Sequence, residues 1–353
     1  MSTHETHSEL SPSRDCPIND GVRAIQRITS RSAEVGGGIP VSRLLPSRHR
    51  RMIGAWCFLD HAGPAVFESD HGLRVGPHPH IGLQTFTWMI EGQVLHRDSL
   101  GNTQVIRPGQ VNLMTAGYGI THTEESLEGQ DRLHAVQLWI ALPNAARERP
   151  PAFNHYADLP KWRVDGLELT LLAGAFDQYK APTCIFSPLV GLDLVAQSAV
   201  DTGLALDARY EYGVLPLRGQ WRVNGEVFGE NELAYLGRGL DTLDLEASAG
   251  ARAIVLGGLP FEEEIFLWWN FVGHSKAEIA QAQEEWERGG ARFGEVSGFD
   301  GPRLTAPAIP WHHPAPILPG PGRSRPCCGR RSSTTRRFPP RTASRPAQWH
   351  VHR

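Results

Sequence analysis

Cysteine is scarce in this chain: 353 residues carry five, at positions 16, 57, 184, 327 and 328. The number is odd and no CxxC spacing occurs, which argues against a disulfide framework and a zinc ribbon and favours reduced thiols. Long apolar runs are missing as well. No stretch approaches the roughly 20 apolar residues of a membrane helix, and Met1 to Asp20, rich in His, Glu, Ser and Pro, has no apolar h-region. With 40% hydrophobic and 21% charged residues, the chain is expected to be globular, cytoplasmic and free of a membrane anchor. Neither GxSxG nor GxxxxGK(S/T) is present, which removes the usual hydrolase and NTPase signatures. Acidic residues are absent from 314–353, where nine arginines and eight prolines fall. Without that tail, 26 basic side chains stand against 38 acidic ones, a body of about −12. Such a body is not expected to bind nucleic acid, and a monomer is expected.

What the chain does have is strand texture. From Met52 to Pro143, β-branched and aromatic segments alternate with Gly, Pro, Asn and Asp punctuation: Thr85 to Ile90, Gln93 to His96, Thr103 to Ile106 and Val111 to Met114. Turn signals at this spacing, with no long helical period, predict an antiparallel sandwich or barrel. The pattern returns from Leu167 to Leu259, so two β-domains of similar build are expected. Their boundaries are read as 21–145 for the first and 146–312 for the second, with Arg147 to Arg163 as a linker. Residues 1–20 and 313–353 read as disordered, since they cannot bury enough apolar surface to offset the entropy of ordering. One helix is marked by the capping box Ser275-Lys276-Ala277-Glu278, by Ile279, Ala282 and Trp286 on one face, and by Gly289-Gly290 as a stop.

Two histidine pairs carry the chemistry. His78-Pro79-His80 is followed, 42 residues after His80, by His122-Thr123-Glu124. Residues two apart in a strand share a face, so each pair can aim into one interior. Three imidazoles and a carboxylate suit a divalent first-row ion and leave coordination positions open, as at a non-haem iron centre. No histidine lies between His155 and His274, so the second domain cannot repeat the set.

Other candidates read as structural. His96 and Asp98 share a strand face and are expected to hydrogen-bond outward. His61, His71 and His134 read as ordinary surface or core histidines rather than as an entrance. Trp56, Phe58, Phe86 and Trp88 read as core, and Cys57 and Cys184 as buried thiols. Gly117-Tyr118-Gly119 leads into a ligand strand rather than a helix, so it is not a phosphate loop.

The run Gly76-Pro77-His78-Pro79-His80-Ile81-Gly82, continuing through His96-Arg97-Asp98-Ser99, Pro108-Gly109, Met114 to Ile120 and His122-Thr123-Glu124, resembles the pirin family of the cupin superfamily. The resemblance extends through His134 to Pro143 (HAVQLWIALP) and Trp268 to Ser275 (WWNFVGHS), and covers about 21–310. It implies an all-β fold of two jelly-roll cupin barrels in tandem, with one short C-terminal helix. It further implies one metal, Fe(II) or another divalent first-row ion, held in the first barrel by His78, His80, His122 and Glu124. Cupins usually carry a glutamate where Gln84 stands here. A neutral amide is a poor ligand beside a carboxylate, so Gln84 is expected behind the ligands and Glu124 as the source of negative charge.

Two functions are consistent with the resemblance. One is a quercetin-type flavonol 2,3-dioxygenase whose substrate is an aromatic, flavonol-like small molecule and whose Glu124 accepts the hydroxyl proton. The other is a non-enzymatic, redox-sensitive regulator bound to a protein partner, a transcription factor or metabolic enzyme.

Overall fold

The structure is a computed structural model that describes residues 25–68 and 72–311. The stretches read as disordered, 1–20 and 313–353, lie outside the described residues, as do His71, Cys16, Cys327 and Cys328.

Two strand-rich barrels follow one another, as the turn punctuation predicted. In chain order the strands of the first half are β1 (Gln26–Thr29), β2 (Arg31–Val35), β3 (Ile39–Leu45), β4 (Trp56–Val66), β5 (Arg74–His80) and β6 (Leu83–Gly92). They continue with β7 (Val94–Asp98), β8 (Thr103–Ile106), β9 (Val111–Thr115), β10 (Ile120–Ser126), β11 (Arg132–Ala141) and β12 (Ala152–Tyr156). A seven-stranded sheet runs β12-β9-β6-β11-β4-β3-β2, and a four-stranded sheet runs β5-β10-β7-β8. The second half repeats the scheme with another seven-stranded sheet, which includes Glu211–Arg218 and Arg252–Gly258, and a four-stranded one.

Two strands depart from a simple tandem reading. β1 pairs with Glu232–Gly237 and so edges the second seven-stranded sheet, although it precedes the first barrel. The stretch read as a linker contains β12, which pairs residue by residue with β9, and Lys161–Val164, which pairs with Leu167–Ala173. Pro150-Pro151 precedes the first of these strands, where a proline costs no ladder bond. The crossing between barrels is therefore confined to residues 157–160, between two edge strands.

The two seven-stranded sheets pack against one another through a continuous apolar core. Leu59, Phe86, Trp88, Val136 and Leu138 from one side meet Leu189, Leu215, Leu217, Ile254 and Leu256 from the other. Trp56 seals this seam: its ring is fully buried, and its indole Nε1–H donates to the carbonyls of Val190 and Gly257, 3.3 and 3.2 Å away. Trp56, Phe86 and Trp88 are thus core, as read from the sequence. The second barrel's own interior is filled by Leu169, Leu192, Leu194, Val214, Trp221 and Phe228, among others.

Helix α1 (Lys276–Glu287) begins at the predicted cap, with the Ser275 hydroxyl accepting from the Glu278 N–H. The reciprocal arm reaches one residue further back than in the standard box, since Glu278 Oε2 accepts from His274 N–H at 2.8 Å. Ile279, Ala282 and Trp286 bury with Trp268, Trp269, Phe271 and Phe293 around Ile81, at the end of β5. The hairpin of Phe266–Trp268 and Phe271–Gly273 thereby returns to the first barrel. Its approach is so close that a Cβ on Gly82, which has φ 66°, would lie 2.0 Å from the Val272 carbonyl. Only glycine fits there.

Replacing a large buried aromatic leaves a cavity in addition to the lost transfer energy. Trp56→Ala should therefore lower the unfolding free energy by about 3–5 kcal/mol, measured by denaturant titration. A loss under about 1 kcal/mol would show that the seam does not depend on this ring.

Candidate metal centre

Strands β5 and β10 pair antiparallel with His122 directly opposite His78. This register, together with the two-residue spacing of His78 and His80, brings three imidazoles into one buried cluster. Each ring is 0% exposed. One ligand nitrogen from each of His78, His80 and His122 lies within 4.8 Å of the others. The His80 and His122 Nε2 atoms are 3.1 Å apart, and the His78 and His122 ring centroids 4.3 Å apart.

Local hydrogen bonds fix two of the rings. A carbonyl oxygen only accepts, so the 2.9 Å contacts from His78 Nδ1 to Gly76 O and from His80 Nδ1 to Asn270 O place a proton on each Nδ1. Each Nε2 is then a bare lone pair. His78 Nε2 is buried and has no hydrogen-bond partner. Burial drives all three imidazoles below their ordinary pKa, His80 to about 3, and the neighbouring rings add to the effect at His78 and His122. Neutral, converging imidazoles with an orphaned lone pair are the donor set a divalent first-row ion takes, so the residues present fit such an ion.

Glu124 is on β10 and 5% exposed, but it is not in the group of mutually close ligand atoms formed by the three histidines. The β5–β10 register shifts between the two residues: His122 faces His78, whereas Glu124 faces Val75. Against β7 the register is unbroken, with His122 opposite Asp98 and Glu124 opposite His96.

Several expectations are corrected. His96 and Asp98 point inward, being 4% and 2% exposed. His96 Nε2 lies 3.2 Å from Asp98 Oδ2 and His96 Nδ1 lies 3.3 Å from His122 Nδ1. Burial tends to raise the Asp98 pKa, but hydrogen bonds from His96 and Asn102 outweigh it and hold the carboxyl below its ordinary value. Gln84 does not stand behind the ligands. It shares the face of β6 that Phe86 and Trp88 turn to the seam, and its amide Nε2–H2 donates to Thr115 Oγ1 and the Cys184 carbonyl, both at 2.9 Å. Cys184 is exposed, whereas Cys57 is buried and its thiol pKa is pushed up by desolvation.

His61 and His134 belong to neither the entrance nor the cluster. Their Nε2 atoms meet at 2.7 Å, and His61 Nδ1 lies 2.7 Å from Asn231 Oδ1 of the second barrel. Desolvation lowers both pKa values, that of His134 to about 3.

Two contributors carried no functional reading from the sequence. Asn270 acts through a main-chain oxygen, which leaves no side-chain signature. Trp139 has its ring centroid 5.3 Å from that of His80 and stacks on Phe58 at 4.1 Å. The alternation in HAVQLWIALP puts Trp139 on the same strand face as Gln137, both fully or almost fully buried, and that pattern was the available signal.

Two jelly-roll-type barrels with a three-histidine centre found, among the described residues, in the first alone define a bicupin with a metal-type site. Sequence comparison agrees. The family profile described as Pirin matches residues 38–140, and the one described as Pirin C-terminal cupin domain matches 191–294. The chain belongs to the pirin family. A Pseudomonas aeruginosa protein named "putative quercetin 2,3-dioxygenase" is 62% identical over 311 residues, spanning 88% of this chain and 98% of that protein. A pirin-like protein of Caulobacter vibrioides is 39% identical, over 72% of this chain and 90% of its own. Among solved structures, a quercetin 2,3-dioxygenase from Acinetobacter baumannii superposes with a TM-score of 0.81 at 49% identity, covering 82% of this chain and 97% of that one. Among the described residues, no helix is long and apolar enough to cross a membrane.

His80→Ala should abolish stoichiometric divalent metal by elemental analysis while leaving the far-ultraviolet circular dichroism unchanged, because the strands carry the fold. Full metal retention would refute the assignment of His80 as a ligand. Folded-state histidine pKa values near 3 lie below the unfolded value of about 6.5, so the unfolded chain binds more protons between these limits. The thermal midpoint of the metal-free protein should therefore be level above about pH 7 and fall as the pH drops from 6.5 toward 3. His134→Gln should make the fall shallower, and an equal slope would remove His134 from the account.

Proposed function

We propose that the protein is a metal-dependent dioxygenase of the quercetin 2,3-dioxygenase type, acting on a flavonol-like aromatic, with Fe(II) as the ion. The observation that carries the reading is the buried, neutral three-histidine cluster in a chain 62% identical to a protein bearing that name. An ion held by His78, His80 and His122 would supply Lewis acidity toward the hydroxyl and carbonyl oxygens of a flavonol and a redox centre for its oxidation by oxygen. The protein supplies the rest.

His78, His80 and His122 offer three uncharged donors, and their preset Nδ1 hydrogen bonds at His78 and His80 spare the site reorientation on binding. Glu124 is the carboxylate next along β10 from His122 and accepts the proton released from the substrate hydroxyl. The Phe58–Trp139 stack beside His80 gives an apolar wall that keeps water from the imidazole cluster.

Protein loaded anaerobically with Fe(II) should consume oxygen when quercetin and air are admitted, with loss of the flavonol absorbance. Glu124→Gln should lower kcat by about 100-fold or more, the usual scale for losing a general base. Iron-loaded protein that consumes no oxygen with quercetin would overturn the reading.

A further inference from the structure

We infer that Asp98, His96 and His122 form a directional hydrogen-bond chain that dictates which nitrogen of His122 is offered to a metal. The inference rests on the metal reading of the three-histidine cluster. It assigns positioning roles to two residues outside the expected ligand set.

The direction of the chain is set at its far end. Asp98 Oδ1 accepts from the N–H groups of Leu100 and Asn102, at 2.9 and 3.0 Å, and both carboxylate oxygens accept from the Asn102 side chain. A carboxylate so anchored faces His96 as an acceptor, so the His96 proton resides on Nε2, 3.2 Å from Asp98 Oδ2. In its neutral form, the one in which the ring can accept, His96 presents a lone pair at Nδ1. That lone pair meets His122 Nδ1 at 3.3 Å, which requires the His122 proton to be there. His122 Nε2 is left bare, 3.1 Å from the equally bare Nε2 of His80. Two lone pairs facing each other at this distance repel, and a cation between them reverses the sign of the interaction.

His96 is also held mechanically. Its ring stacks on Phe153 of β12, with centroids 4.3 Å apart and planes inclined by 11°. His78 and His80 have their protons placed by main-chain carbonyls, whereas His122 alone depends on side chains. That makes its tautomer alterable by substitution.

Two variants separate a tautomer role from a packing role. His96→Phe keeps an aromatic ring against Phe153 but removes both hydrogen bonds. Asp98→Asn keeps an oxygen for the Leu100 and Asn102 N–H groups but turns an amide N–H toward His96 Nε2. The His96 proton then moves to Nδ1, His122 must accept there, and its own proton shifts to the nitrogen that should bind metal. A small steric change would thus reverse the whole chain, as an amide in place of the carboxylate does in a hydrolase triad.

The full-length metal-free protein would be titrated anaerobically with Fe(II), and separately with Co(II) as a spectroscopic probe, against a chromophoric chelator, with no substrate present. Both variants should lose about 10–100-fold in metal affinity, Asp98→Asn at least as much as His96→Phe. The Co(II) visible bands should change, while the far-ultraviolet circular dichroism of the metal-free Asp98→Asn protein stays that of wild type. Asp98→Asn binding within twofold of wild type, with an unchanged Co(II) spectrum, would overturn the inference, and this variant decides the matter if His96→Phe does not fold. Failure of the metal reading itself looks different, because wild type and His80→Ala would then take up metal alike.

Discussion

The β5–β10 register is the constraint on which the site depends. A one-residue slip in an antiparallel pair turns every side chain to the opposite face, so the cluster exists only if His122 stands opposite His78. Much of the surrounding architecture resists that slip. β7 holds β10 in unbroken register from its other edge, and the hairpin after Phe266 closes over the end of β5.

The second barrel contributes support rather than chemistry. Its interior is closed by leucine, valine and aromatic side chains, and no histidine falls in the segment that builds it. It offers a flat apolar partner for the first barrel's larger sheet, which would otherwise expose Phe86, Trp88, Val136 and Leu138. It also stands across from the paired histidines His61 and His134, through Asn231. The exchange of β1 into the second sheet ties the two halves at the chain's start, much as the C-terminal hairpin ties them near its end.

The sequence made the strands and the histidine cluster legible because both follow from local rules: turn residues punctuate strands, and a two-residue spacing fixes a shared face. Directions across a strand were less readable. In β7, Val94, His96 and Asp98 alternate with Leu95 and Arg97, so each face carries one aliphatic residue and the pattern does not say which is inside. The stretch holding β12 reads as a linker because an edge strand is defined by its partner, and β9 is remote in sequence. Gln84 was placed by its family position, whereas the sheet face it shares with Phe86 and Trp88 sends it to the seam. The part played by Asn270 was illegible, since any residue supplies a carbonyl.

That carbonyl lies 190 residues beyond the ring it holds. On the ribosome, the first barrel's strands emerge long before Asn270 does, so a nascent chain can complete its β-structure while His80 still lacks the acceptor that orients it. The fully preset centre is thus available only after nearly the whole described chain has been made and docked. Order of synthesis thereby separates folding of the barrel from maturation of its centre, and a chain cut short before the hairpin would have the histidines without their final alignment.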